Sequence, residues 1–469
     1  MLITVRDFIC GHGKTLGMVQ EIKSMYKENS NERFLYITPY LEQCHDVAGT
    51  LPREDDEYKR PKLNEDGSVL YVPRDTNLAE MQFKHPNNRN SFGAKQESLK
   101  TLMVNRQNIV STHNLFLNLK LDTLQNVDQY TLIIDECLDV FERKSFLSEK
   151  EVKKLLRRKI LKLKEDGITL IFDRDKFGEA QEGDNEDAVK DTRYEELAVL
   201  CDNNQVMLVN GGVLIWEFSA EILKKFKKVF ILTYLFEGRE MSIYLKKHGI
   251  EYEVIRGGKG GKDIAHLVEI LEDERTNAVG DGVYDLSISK TKMTKRERKQ
   301  PQVGDYDTKE KYDLAVKRYE KHLSSIDSKE KEAHVVNDVL RKNLHSVFTT
   351  RWKAKSNDRY FTCLSDNKCL IGGKNYRNNW LGYSTKAVNS YSDTHHVAFL
   401  MNVFMLPYIK QVCDSTQYKV DEDLVSLSHL IQFVFRSALR KGEPIKVYIP
   451  SSRMRGLFKD YLKGKYDEV

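Results

Sequence analysis

No apolar run in this 469-residue chain approaches the ~18 residues that a membrane-spanning helix needs, so no transmembrane segment is expected. A signal core is missing as well. Leu2-Ile3-Thr4-Val5 is short and Arg6-Asp7 interrupts it, which makes the cytoplasm the expected location. Cysteine is sparse: the seven are odd in number and scattered, and no pair has the close spacing of a zinc site. Reduced, mostly buried thiols are the expectation. Neither charge sign dominates, since 75 basic residues face 70 acidic ones, and a net charge of +5 only hints at an anionic partner. What is present, 40% hydrophobic and 31% charged residues, describes a globular protein with room for two or three cores.

Against that background one stretch stands out, Phe8-Ile9-Cys10-Gly11-His12-Gly13-Lys14-Thr15. A short strand precedes it, and a helical pattern from Leu16 to Tyr26 follows, with Leu16, Val19, Ile22 and Met25 on one side. A strand, a glycine-rich turn and a helix N-terminus together make a phosphate cradle of backbone N–H groups and helix dipole. Gly11 and Gly13 allow close approach of the backbone, and His12 is a tolerated loop residue between them. Lys14 is expected at the β/γ-phosphates and the Thr15 hydroxyl at Mg²⁺. Phe8 stands where the full consensus has glycine, so an ordinary strand–helix turn stays open as the alternative.

Downstream, Arg33 to Tyr40 reads as a buried strand that turns at Pro39, with a helix from Leu41. Strand alternating with helix predicts a parallel sheet covered by helices. The polar stretch from Arg53 to Lys95 reads as a peripheral insertion. Asn108 to Asn114 reads as another strand. Tyr130-Thr131-Leu132-Ile133-Ile134 then runs into Asp135-Glu136, two acids placed to hold Mg²⁺ and to polarise a water. Lys153 to Lys164 is basic with helical spacing; nucleic-acid contact and a plain solvated face are both open. A second α/β unit is expected from near Glu240, and the dense charge between Lys290 and Glu332 reads as loop and exposed helix. Near the C-terminus the pattern suggests a strand at Val347 to Thr350, a helix at Val397 to Phe404 and a helix from Ser428 to Arg440.

The order of these motifs resembles the superfamily-two helicases, in particular small phage and mobile-element members. Gly11-His12-Gly13-Lys14-Thr15 is similar to motif I, Thr38-Pro39-Tyr40 to motif Ia, and Ser111-Thr112-His113 to motif Ib. Asp135-Glu136-Cys137-Leu138-Asp139 resembles motif II, and Leu232-Thr233-Tyr234 stands at motif III. Thr385 to Asn389 resembles motif V, and Gln432 to Arg440 motif VI, with the second arginine, Arg440, one place later than the family has it.

The resemblance implies an α/β protein of two RecA-like parallel-sheet lobes with a nucleotide cleft between them. The first lobe is 1–238, with insertions near 53–95 and 140–205; the second is 239–469, with a charged insertion near 290–332. It also implies ATP and Mg²⁺ as cofactors and nucleic acid as partner, DNA more than RNA, with replication or recombination proteins as further partners. The location would be the host cytoplasm if the chain is phage-encoded. Gly11, His12, Gly13, Lys14, Thr15 and Asp135 would bind nucleotide, Thr15 and Asp135 the metal. Glu136, Gln432, Arg436 and Arg440 would serve catalysis, and Thr38, Pro39, Thr112 and Thr385 would touch the strand. The implied activity is ATP-driven translocation or unwinding. A nucleic-acid-stimulated ATPase without strand separation remains the alternative, then a small-molecule kinase or NTPase.

Overall fold

The computed structural model describes residues 2–9, 13–87, 94–182, 192–258, 260–280, 286, 308–385, 390–416, 418 and 420–467. The chain folds into two compact units, one made of 1–258 with 405–424 and the other of 259–404 with 425–469. Each is an α/β assembly on its own parallel sheet. No described helix is long and apolar enough to cross a membrane.

The first unit is built on strands β1 (Leu2–Phe8), β2 (Arg33–Thr38), β3 (Ile109–Thr112), β4 (Tyr130–Asp135), β10 (Lys228–Thr233) and β11 (Tyr252–Gly257). They lie in the order β11-β1-β10-β4-β2-β3, all parallel. Strands buried on both faces read as continuous apolar runs, which is what Phe34 to Ile37 and Leu132 to Ile134 are. The Lys14–Glu28 helix lays Met18, Val19 and Ile22 onto this sheet.

Between β4 and β10 the chain builds a module with its own core. Strands β5 (Phe141–Lys144), β8 (Val206–Val209) and β9 (Val213–Glu217) form an antiparallel sheet, and β6 (Leu161–Leu163) pairs with β7 (Leu170–Phe172). Val152, Leu155, Ile160, Leu170, Leu197 and Val206 fill its interior.

The second unit carries β12 (Val268–Ile270), β13 (Arg359–Thr362), β14 (His396–Phe399) and β15 (Ile445–Tyr448) in the order β12-β15-β14-β13, again parallel. Arg453 supports it locally, donating to the Val403 carbonyl at 2.7 Å and to Ser426 Oγ at 3.0 Å.

Several sequence expectations are corrected. The lobe boundary expected at 238/239 falls inside the first unit, because β11 pairs with β1. The 53–95 stretch is not wholly peripheral: Leu78, Met81 and Phe83 belong to the core beneath β2. Val347 to Thr350 is not a strand but a π-helical continuation of the Lys309–His345 helix. Val397 to Phe399 is strand rather than helix. The basic segment stops being helical at Arg157, and Leu161–Leu163 is strand. The helix expected from Ser428 to Arg440 instead spans Glu422–Val434 and ends short of Arg440. Ser437 is extended there and its hydroxyl accepts from the Leu439 N–H at 3.3 Å, starting a separate turn, Ala438–Lys441.

Candidate nucleotide site

Parallel sheets place their loops at the carboxyl ends of the strands, where ligands are taken up. There the start of the helix that follows β1 reaches across β10 to the end of β4, and the contacts join residues far apart in the chain. Gly13 has φ +74°, a left-handed conformation that glycine adopts without cost, and it starts the helix directly before Lys14. One turn further on, the Gly17 N–H donates to the Gly13 carbonyl at 2.7 Å. The expected site residues Gly11 and His12 lie outside the described residues.

Thr15 Oγ1 donates to Asp135 Oδ2 at 3.1 Å, a contact across 120 positions of sequence. Lys14 Nζ lies 3.8 Å from Glu136 Oε1, with the lysine side chain only 8% exposed. So the phosphate-loop pair and the acid pair, predicted separately from two motifs, sit together.

Three further residues contact these groups without having been assigned to the nucleotide site from the sequence, although His113 ends the stretch similar to motif Ib. The Tyr36 hydroxyl donates to the same Asp135 oxygen at 3.1 Å. His113 Nε2 lies 2.9 Å from the Asp135 carbonyl; a carbonyl only accepts, so this nitrogen carries the proton. Asp7, buried at the end of β1, accepts the N–H groups of Leu235 (2.7 Å) and Phe236 (2.8 Å), tying the loop after β10 to the phosphate loop. The signal that could have found Tyr36 and Asp7 is burial: a phenol or carboxylate inside an otherwise apolar strand needs a partner.

The electrostatics are those of a buried Asp135 beside a half-buried Glu136 and a buried cation. Burial, then the Glu136 charge, pushes the Asp135 carboxyl up to about 6; Lys14, Thr15 and Tyr36 pull the other way. Burial likewise raises Asp7 above the ordinary carboxylate range, against its two backbone N–H donors and the charge of Lys14. Glu136 itself has φ +68°, outside the strand conformation, and its N–H turns to the Leu232 carbonyl at 2.9 Å. Such a backbone costs about 1–2 kcal/mol for a non-glycine residue and turns the carboxylate away from the strand line toward Lys14.

The donor set suits a magnesium ion. The Thr15 hydroxyl and Asp135 carboxylate are hard oxygens at hydrogen-bond distance, the ligand type that Mg²⁺ takes together with substrate phosphates.

The residues expected to meet a strand are partly brought together. Thr38 and Thr112 are paired in register at the ends of β2 and β3. Yet the Thr38 side chain is fully buried and its hydroxyl donates to the Tyr40 carbonyl at 2.9 Å, so that side chain is a correction to the expected contact set. Pro39 is half-buried, and Thr112 caps the His113–Leu117 helix. In the second unit, Arg436 and Thr385 converge on one carbonyl. Gly382 O accepts from Arg436 Nη1 at 3.2 Å and from the Thr385 N–H at 3.1 Å. Residues 386–389 of the motif V stretch lie outside the described residues. Gln432 is half-buried on its helix, Arg436 is buried beyond the helix end, and Arg440 is exposed on the following turn. The two arginines therefore both lie beyond the end of the Glu422–Val434 helix.

Comparison with known proteins gives the following likenesses. Residues 305–462 match the family model described as the YonV C-terminal Rossmann-like domain, in keeping with the parallel strands β13 to β15. Over 483 aligned residues, covering 99% of both chains, the protein is 27% identical to the SPbeta prophage-derived uncharacterized protein YonV of Bacillus subtilis (strain 168). Among solved structures, the Pyrococcus furiosus Hef helicase domain aligns at TM-score 0.34 and 11% identity, covering 98% of this chain and 94% of that one. T4 UvsW aligns at TM-score 0.22 and 12% identity, covering 96% and 74%.

Proposed function

We propose that this protein is an ATP-dependent nucleic-acid helicase or translocase, acting on DNA more than RNA in phage or mobile-element replication or recombination. The observation that carries the reading is the meeting of Thr15 with Asp135 and of Lys14 with Glu136 at the carboxyl ends of β1 and β4, two parallel strands that flank β10. A buried lysine at a helix N-terminus binds and orients a triphosphate. Glu136 is the base that takes the proton of the attacking water. Thr15 and Asp135 would hold Mg²⁺, which would supply neutralisation of charge on the phosphates. Gln432, Arg436 and Arg440 are the assigned catalytic groups of the second unit, and Pro39, Thr112 and Thr385 the assigned strand contacts. Full-length similarity to a prophage-derived protein supports the mobile-element setting.

The test is ATP hydrolysis by the purified full chain with Mg²⁺, with and without single-stranded DNA or RNA. Stimulation by nucleic acid is expected, together with a loss of about 100-fold or more in Lys14→Ala and Glu136→Gln. A rate indifferent to both polymers moves the function to a small-molecule kinase or NTPase. Hydrolysis that survives both substitutions removes the site from the reaction.

A further inference from the structure

The module between β4 and β10 has one surface that the nucleotide site does not use. Its Glu149–Arg157 helix buries Val152 and Leu155 and turns Lys150, Lys153, Lys154 and Arg157 outward, all exposed. These four positions are spaced i, i+3, i+4, i+7 and so form a single stripe along the helix. The chain continues it beyond the helix with Arg158, Lys159, Lys162 and Lys164, also exposed. From 150 to 164 there are eight basic residues and one acidic, Glu151. Glu149, Glu165 and Asp166 border the stretch, so the cations are concentrated between acids at its two ends.

The one acid in the stretch is already engaged. Glu151 closes a capping box, accepting the Ser148 N–H at 2.7 Å, and pairs with Arg193 at 3.5 Å. Lys162 pairs with Asp173 at 2.8 Å. Compensation of the helix dipole accounts for cations in the last turn, but not for Lys150 near the start or for Lys159 and Lys164 beyond the end.

We infer that this stripe is a second nucleic-acid contact, gripping the sugar–phosphate backbone independently of the strand-binding ends of β2 and β3. It rests on the reading of the protein as one that works on nucleic acid. Charge complementarity selects the partner: lysine is depleted at protein–protein interfaces and aromatic anchors are enriched there, whereas phosphate backbones are met by Lys and Arg. The helix stripe has four cations and no aromatic residue. The module leaves the sheet after Asp135-Glu136 and returns into β10, so a load on it acts on the chain segments that flank the acid pair.

The experiment measures binding of labelled duplex and single-stranded DNA to the nucleotide-free full chain across a salt series. The variant combines Lys150→Gln, Lys153→Gln, Lys154→Gln and Arg157→Gln. A control neutralises four exposed cations of the Lys309–His345 helix: Lys309, Lys311, Lys317 and Arg318. The stripe variant is expected to bind roughly 10- to 100-fold more weakly near 0.1 M salt, with the salt slope reduced by about three, while the control keeps both. Lys→Arg replacements at 150, 153 and 154 keep the charge and should keep the affinity, separating charge from folding. Unchanged binding in the stripe variant overturns the inference even where nucleic acid still stimulates hydrolysis. An equal loss in the control also overturns it, since the effect is then bulk charge. A stripe-dependent affinity in a protein whose ATPase ignores nucleic acid upholds the inference and removes the motor.

Discussion

Asp135 is under opposed demands. Its carboxylate collects hydroxyls from Thr15 and Tyr36, yet it is buried beside the charge of Glu136, and the net result is a carboxyl pushed up to about 6. The ordinary value is 3.8, so the folded protein holds the proton more tightly than the unfolded chain does. Ionising Asp135 therefore removes stability as pH rises from about 4 through about 6, and the deficit persists above that. In chelator-containing buffer, Asp135→Asn should be more stable than the parent at pH 8, by on the order of 3 kcal/mol. The gap should close as pH falls to about 4 and below, where the folded carboxyl is neutral and the unfolded one is taking up its proton. Denaturant titrations at the two pH values decide it; equal stability at pH 8 would mean the acid is not strained by its burial. At this scale the meeting of Lys14, Thr15, Asp135 and Glu136 was legible, because the two short motifs that carry them each stand next to a strand end. Tyr36, Asp7 and the His113 contact with the Asp135 carbonyl were not, because they come from partners that only the folded sheet brings near.

At the level of single elements, local pattern misled where long-range packing prevailed. Val347-Phe348-Thr349-Thr350 has the β-branched and aromatic character of a strand. It continues a helix because Leu340, Leu344, Val347 and Phe348 fall at helical spacing and enter one buried cluster. Val397-Ala398-Phe399 is a continuous apolar run that suits a buried helix or a central strand equally. Its place between β13 and β15 settles the choice. The same competition hides core residues inside the polar 53–95 stretch. Phe83 is fully buried among Leu78, Met81 and Tyr36. Phe83→Ala should cost about 3–5 kcal/mol in a denaturant melt, the price of a cavity in a core. A cost near zero would return that segment to the periphery.

Across the whole molecule, the chain does not divide where its motifs change. Helix and strand after Glu240 look like the start of a new unit, but β11 closes the edge of the first sheet beside β1, and residues 405–424 come back to that unit. Because Lys14, Thr15, Asp135 and Glu136 all belong to the first unit, nucleotide binding should stabilise it by mass action. A non-hydrolysable triphosphate with Mg²⁺ at about a hundredfold excess over Kd should raise Tm by roughly 5 °C. EDTA should remove most of that shift, and Thr15→Val should reduce it. A shift indifferent to the metal would place the triphosphate away from Thr15 and Asp135.

By itself the sequence determined the α/β class and singled out Lys14-Thr15 and Asp135-Glu136, which the fold brings together, because each depends on short patterns: a buried run, a glycine before a helix, two acids after a strand. Tertiary structure alone decided which strand lies beside which, that Arg436 is turned to the Gly382 carbonyl, and that Thr38 is sealed in the core. Those outcomes depend on contacts between residues far apart in the chain, whose burial and hydrogen bonds outweigh any local preference.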